Sequence, residues 1–146
     1  MTLLSSIISS LDVWYNYLMQ EGQDWIYTDI VKEHFLNPRN YLMGDESKFD
    51  YDAMGLVGNP ICGDQMKMFI KVKDNRIVDI AWKTYGCASA IATSSIATDL
   101  IKGQPVSEAL KLTNKAVVEA LDGLPALKIH CSVLAEQAIK AALADY

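Results

Sequence analysis

The chain is short of the residues that whole classes of function require. It has three cysteines and two histidines in 146 residues. The cysteine count is odd and no two form a C-x-x-C pair, which argues against a disulfide framework. Reduced thiols fit better, either as apolar core residues or as a metal or sulfur site. Lysine and arginine total 13 against 18 acidic residues, a net charge of -5, and there is no basic tract. Such a chain is poorly equipped to neutralise phosphates, so nucleic acid is not an expected partner. The first basic residue is Lys32. Residues 1–31 therefore lack the positive n-region of a secretory signal and the arginines of a transit peptide. That absence points to a cytoplasmic protein. A membrane span is not expected either, because Ser5, Ser6, Ser9, Ser10 and Asp12 interrupt the first apolar stretch.

What the chain does have is enough apolar material for one self-sufficient core: 51% hydrophobic against 21% charged residues. Residues 1–20 pattern as an amphipathic helix. Leu3, Leu4, Ile7, Ile8, Leu11, Trp14, Tyr15 and Leu18 share one face, and Ser5, Ser9, Asp12 and Asn16 lie opposite. The polar face carries no lysine or arginine, so membrane binding is disfavoured; the apolar face is expected to pack on the domain, on a partner or on a second copy, with a homo-oligomer through residues 1–20 the expectation carried forward. Residues 1–26 read as an extension, and 27–146 as the domain proper.

Within the domain, residues 28–36 predict a short helix with Thr28 as N-cap, stopped at Asn37-Pro38. Residues 40–53 read as a loop. Met66, Met68, Ile70 and Val72 alternate with Lys67, Phe69, Lys71 and Lys73. Asp74-Asn75 is a turn pair, and Val78, Ile80 and Trp82 alternate on the far side, so a β-hairpin is expected. A further strand near Leu56-Val57 is weaker. From Ala88 onward the pattern turns helical. One helix covers 88–102 and ends at Gly103, another opens at Pro105, a third is capped by Asn114, and the last spans 132–144. This order predicts an α+β fold, a small three-stranded antiparallel sheet packed by helices.

The three cysteines fall at element boundaries. Cys62 precedes the hairpin, Cys87 lies where its second strand yields to a helix, and Cys131 follows His130 at the start of the last helix. A helix start favours thiolate, for nucleophilic attack and for metal ligation alike. Asp64 is two residues from Cys62, with Gly63 between them. Together they offer three soft sulfurs, one carboxylate and one imidazole. Soft thiolates select zinc, copper(I) or iron–sulfur clusters. Spacing alone leaves unrelated buried cysteines open as well. His34 stands alone on its helix and reads as structural.

These segments carry a resemblance. Asn37-Pro38-Arg39-Asn40, the run from Gly55 through Pro60-Ile61-Cys62-Gly63-Asp64, Lys83-Thr84-Tyr85-Gly86-Cys87-Ala88-Ser89-Ala90, Lys128-Ile129-His130-Cys131-Ser132 and the tail from Ala135 to Ala142 resemble the IscU/NifU N-terminal family of iron–sulfur cluster assembly scaffolds. The resemblance spans roughly residues 27–146. It implies a scaffold, not an enzyme, that builds a cluster, usually [2Fe–2S], from iron and persulfide sulfur and hands it to acceptor apo-proteins. The sulfur donor it implies is a cysteine desulfurase. It implies Cys62, Asp64, Cys87, His130 and Cys131 as cluster or metal ligands, with Cys131 the first persulfide acceptor. Asp64 matches an aspartate associated with cluster lability, and Lys128 would offset negative charge as an auxiliary group. The alternative is a zinc-binding persulfide relay, zinc being held by the same ligands in the cluster-free form. The family's chaperone segment usually reads Leu-Pro-Pro-Val-Lys. Here Leu124-Pro125-Ala126-Leu127-Lys128 lacks the second proline, which puts handover to an Hsp70-type chaperone in doubt.

Overall fold

The computed structural model describes residues 27–58 and 63–146. The amphipathic stretch at 1–20, and with it the expected homo-oligomer contact, lies outside the described residues, as does Cys62. Helix α1 spans Asp29–Leu36. Thr28 caps it as expected, accepting from the Val31 amide, and donates its own hydroxyl to Leu121 O at 2.5 Å. His34 is buried, its Nδ1 2.7 Å from Ser95 Oγ, a structural role.

Strands β1 (Ala53–Gly58), β2 (Gln65–Lys73) and β3 (Arg76–Tyr85) form one antiparallel sheet in sequence order. The hairpin register pairs Lys73 with Arg76 around Asp74 and Asn75. Their φ values of 53° and 61° are those of a type I′ turn, whose twist matches the strands. β1 is longer than the short apolar pair at Leu56-Val57 suggests. Met66, Met68, Ile70, Ile80 and Trp82 point to one face and are at most 2% exposed.

That face is covered by α2 (Ala88–Ile101) and α5 (Ile129–Asp145); the short helices α3 (Val106–Ala109) and α4 (Asn114–Ala120) complete the layer. Pro105 is the N-cap of α3 rather than a residue of its first turn. Thr113, not Asn114, caps α4, its hydroxyl accepting from the Ala116 amide. α5 begins at Ile129, three residues before the expected 132. His130 and Cys131 therefore belong to its first turn. Small side chains let these helices approach closely. Ser94 and Thr98 are fully buried in α2 because their hydroxyls return to the Ala90 and Ser94 carbonyls at 2.7 and 2.9 Å. Gly55 of β1 lies against the backbone of α5 with no room for a side chain.

Val78, expected on the face of Ile80 and Trp82, is instead exposed and Ile77 is buried, because a bulge shifts the register beside Lys71 and Val72. The opposite face carries another departure from the alternation. Lys67, Phe69 and Lys71 share it, yet Phe69 is fully buried. Residues 40–52 form a strap across it, including a 3₁₀ turn at Glu46–Lys48. Phe49 and Tyr51 pack on Phe69 with centroids 6.3 and 5.0 Å away. Lys67 pairs with Glu46 at 3.1 Å, Lys71 with Asp50, and Lys83 donates to Gly44 O at 2.5 Å. Among the described residues no helix is long and apolar enough to cross a membrane.

Candidate metal and sulfur site

Three chain segments meet at one end of the sheet. Asp64 stands just before β2, after Gly63, whose φ of +72° turns the chain there. Cys87 is the N-cap of α2, where β3 gives way to helix. His130 and Cys131 come from the first turn of α5. Thr93 of α2 ties the two helices together, donating to Cys131 O at 3.3 Å.

The donor atoms converge. Cys87 Sγ lies 3.7 Å from Cys131 Sγ. Cys131 Sγ is 3.5 Å from His130 Nε2 and 3.8 Å from Asp64 Oδ2. His130 Nε2 is 3.9 Å from the same carboxylate oxygen. Asp64, His130 and Cys131 each offer a ligand atom within 4.8 Å of the others. Two sulfurs bound tetrahedrally to one ion at about 2.3 Å stand roughly 3.8 Å apart, and a nitrogen and a sulfur about 3.5 Å apart. The Cys87–Cys131 and His130–Cys131 separations match two edges of such a tetrahedron. Cys62, outside the described residues, completes the expected ligand set only by sequence.

The two thiols are unequal. Cys87 is half-buried, and its pKa is lowered to about 5. The largest cause is the hydrogen bond with Cys131; the Ala90 and Ser89 amides at the helix start and the Lys128 ammonium add to it, against the opposing effect of burial. No full capping hydrogen bond forms from either amide. Cys131 is fully buried and its pKa is raised, first by that same hydrogen bond and then by burial and by the nearby charges of Cys87 and Asp64. One proton is in effect held by Cys131 between the two sulfurs. Lys128, in the 3₁₀ turn Ala126–Lys128, has its pKa raised chiefly by the Cys87 thiolate, then by Tyr27, Cys131 and Asp64.

Reactivity reads this inequality directly. In a Cys62→Ser background without metal, iodoacetamide is expected to alkylate Cys87 first. The rate should hold through neutral pH and fall only as pH drops through about 5, because the thiolate is the reacting form. A midpoint in the ordinary thiol range, or Cys131 reacting first, would contradict the assignment.

Two features escape a reading of motifs. Ser89 Oγ donates to Tyr27 Oη at 3.1 Å, tying the first described residue to the helix start beside Cys87. Gly86 leaves the space in which the Asp64 carboxylate sits. The only sequence signal for the second is a glycine at a strand end where no tight turn follows.

Known proteins agree with this architecture. The family model described as "NifU-like N terminal domain" matches residues 26–146. "Iron-sulfur cluster assembly scaffold protein IscU 1" of Archaeoglobus fulgidus is 56% identical over 121 residues, 83% of this chain and 76% of that one. The scaffold protein IscU of Escherichia coli is 50% identical over 121 residues, 82% of this chain and 93% of its own. A Drosophila melanogaster relative, 54% identical over 83% of this chain and 78% of its own, is named "Iron-sulfur cluster assembly enzyme IscU". A crystal structure of a putative SUF-system assembly scaffold from Fervidobacterium islandicum superposes with a TM-score of 0.64 at 17% identity, over 84% of this chain and 99% of that one, a likeness of fold. With its three-stranded sheet, its covering helices and a match from residue 26 to the last, the chain belongs to the NifU-like N-terminal domain family, among whose members are the IscU scaffolds.

Proposed function

We propose that the protein is a scaffold on which an iron–sulfur cluster is assembled from iron and persulfide sulfur and then released to acceptor proteins. The observation that carries the reading is the convergence of Asp64, His130 and Cys131, with Cys87 Sγ 3.7 Å from Cys131 Sγ, from three separate segments. Cys62 is the further thiolate of the set. The cluster is cargo, and [2Fe–2S] is the form proposed. The donor set suits a cargo that leaves. Thiolates bind iron and sulfide well, whereas the carboxylate of Asp64 is a hard, more readily exchanged donor.

Sulfur enters as the terminal atom of a persulfide on a cysteine desulfurase. A cysteine thiolate of the scaffold attacks that sulfur, the donor's S–S bond breaks, and the donor departs as thiolate. Cys131 is proposed as first acceptor. Its thiol is fully buried and keeps its proton beside the Cys87 thiolate, so this step requires the site to open and that proton to pass to Cys87, leaving Cys131 as the attacking thiolate. An external two-electron reductant then converts the persulfide sulfur to sulfide and returns the cysteine as thiolate, and Lys128 balances the negative charge that accumulates. We also propose a reducing compartment, the cytoplasm, which keeps these thiols free. Handover by a chaperone through Leu124-Pro125-Ala126-Leu127-Lys128 would engage a segment folded here as a 3₁₀ turn after Pro125.

The same donors favour a second reading, a zinc-bound persulfide relay that builds no cluster. Strictly anaerobic purification, followed by iron, zinc and acid-labile sulfide analysis with the visible spectrum, separates the two. Iron and sulfide in equal amounts with charge-transfer bands are expected. Zinc alone, unchanged by reconstitution with iron, cysteine and a desulfurase, would transfer the assignment to the relay.

A further inference from the structure

Gly86 links the end of β3 to Cys87. Its φ lies outside the left-handed region, so backbone conformation does not demand glycine there. Space does. A Cβ at this position would stand 3.1 Å from Asp64 Cγ, 3.2 Å from Asp64 Oδ1 and 2.9 Å from Ala90 Cβ. The Asp64 carboxylate is therefore seated on bare backbone. Its Oδ1 edge faces Gly86, and its Oδ2 edge faces His130 Nε2 at 3.9 Å and Cys131 Sγ at 3.8 Å. No arginine or lysine forms a close ion pair with this carboxylate among the described residues; its basic neighbour is His130 Nε2, 3.9 Å away. Its direction is set by the wall behind it.

We propose that Gly86 is a positioning residue: the missing side chain forms the slot that keeps the Asp64 carboxylate turned onto the donor cluster, so residue 86 controls whether Asp64 enters the ligand set. This rests on the reading of Asp64 as a donor. A methyl group in the slot forces the carboxylate over by a few tenths of an ångström. Metal–ligand distances tolerate only about 0.2 Å, and functional constellations about 0.5 Å. A displacement that packing would absorb elsewhere is large on this scale.

Cobalt(II) added to the metal-free protein is the probe, because its visible bands report donor set and geometry as well as affinity. The added methyl also touches Ala90, so the informative variant is Gly86→Ala with Ala90→Gly, compared with Ala90→Gly alone. The paired variant is expected to bind cobalt about tenfold more weakly, the scale of altered support around metal ligands, with shifted visible bands. In an Asp64→Ala background the same pair should change affinity less than twofold. Thermal melting supplies the readout if the paired variant folds poorly: removing the Asp64 carboxylate should then recover at least half of the loss in Tm. Equal effects with and without Asp64, or an unchanged cobalt spectrum in the paired variant, would overturn the proposal while leaving Asp64 a donor. If Asp64→Ala itself leaves cobalt binding untouched, the reading of Asp64 as a donor fails, and this inference with it.

Discussion

A cluster assembled on an Asp64→Ala variant is expected to outlast the wild-type cluster by about tenfold under chelator or air, the scale of a changed ligand environment. Asp64 is 8% exposed, and its carboxylate sits 3.8 Å from Cys131 Sγ and 3.9 Å from His130 Nε2. Oxygen donors hold iron less firmly than sulfur or imidazole when sulfide is present, and they exchange with water more readily. Removing Asp64 leaves His130, 3.5 Å from Cys131, as the donor next in reach. It also removes one negative charge from a pocket already holding thiolates. The measurement is the decay of the visible charge-transfer band, with transfer to an acceptor apo-protein followed in parallel. Slower decay together with slower transfer supports a scaffold whose lability is built in. Unchanged or faster decay would mean that Asp64 does not govern release.

The second large effect is structural. Gly55→Ala should destabilise the domain by about 3 kcal/mol, the upper part of the range for overpacking a tight contact. The new methyl would overlap the Ala138 carbonyl of α5 and come within 2.5 Å of the Ala142 amide nitrogen. Both are backbone atoms within a continuous helix, so neither yields by a rotamer change. Relief requires α5 to lift from β1, and Cys131 and His130 lie in the first turn of that helix. A fall in Tm on the order of 10 °C is expected for a domain of this size. Metal affinity should fall with it, because the donor set is carried by the helix that moves. A variant melting within about 2 °C of wild type would show that α5 is not held at the distance described.

Much of this protein was legible along the chain. The alternation from Met66 to Val72, the Asp74-Asn75 turn and the Thr28 cap are local decisions, made by residues within a few positions of one another. The boundary positions of Cys87 and Cys131 were legible for the same reason. Boundaries were less so. Thr113 outcompetes Asn114 as a cap because its hydroxyl reaches the Ala116 amide, and α5 starts early because a 3₁₀ turn leads into it.

Other features exist only once distant segments meet. Phe69 reads as solvent-facing beside two lysines, and it is buried because a strap twenty residues upstream carries Phe49 and Tyr51 onto it while Glu46 and Asp50 bind the flanking lysines. The inequality of the thiols is likewise tertiary: identical side chains 44 positions apart differ because one caps a helix near an ammonium and the other is sealed beneath it. The roles of Gly55 and Gly86 belong to this group too, since an absent side chain signals nothing until its neighbour is known. The sequence by itself determined the elements and the donor types, because those follow from residue chemistry and near-neighbour periodicity. The tertiary structure alone decided which donors face one another, which thiol keeps the proton and how Asp64 is aimed, because distance, burial and charge are properties of the assembled fold.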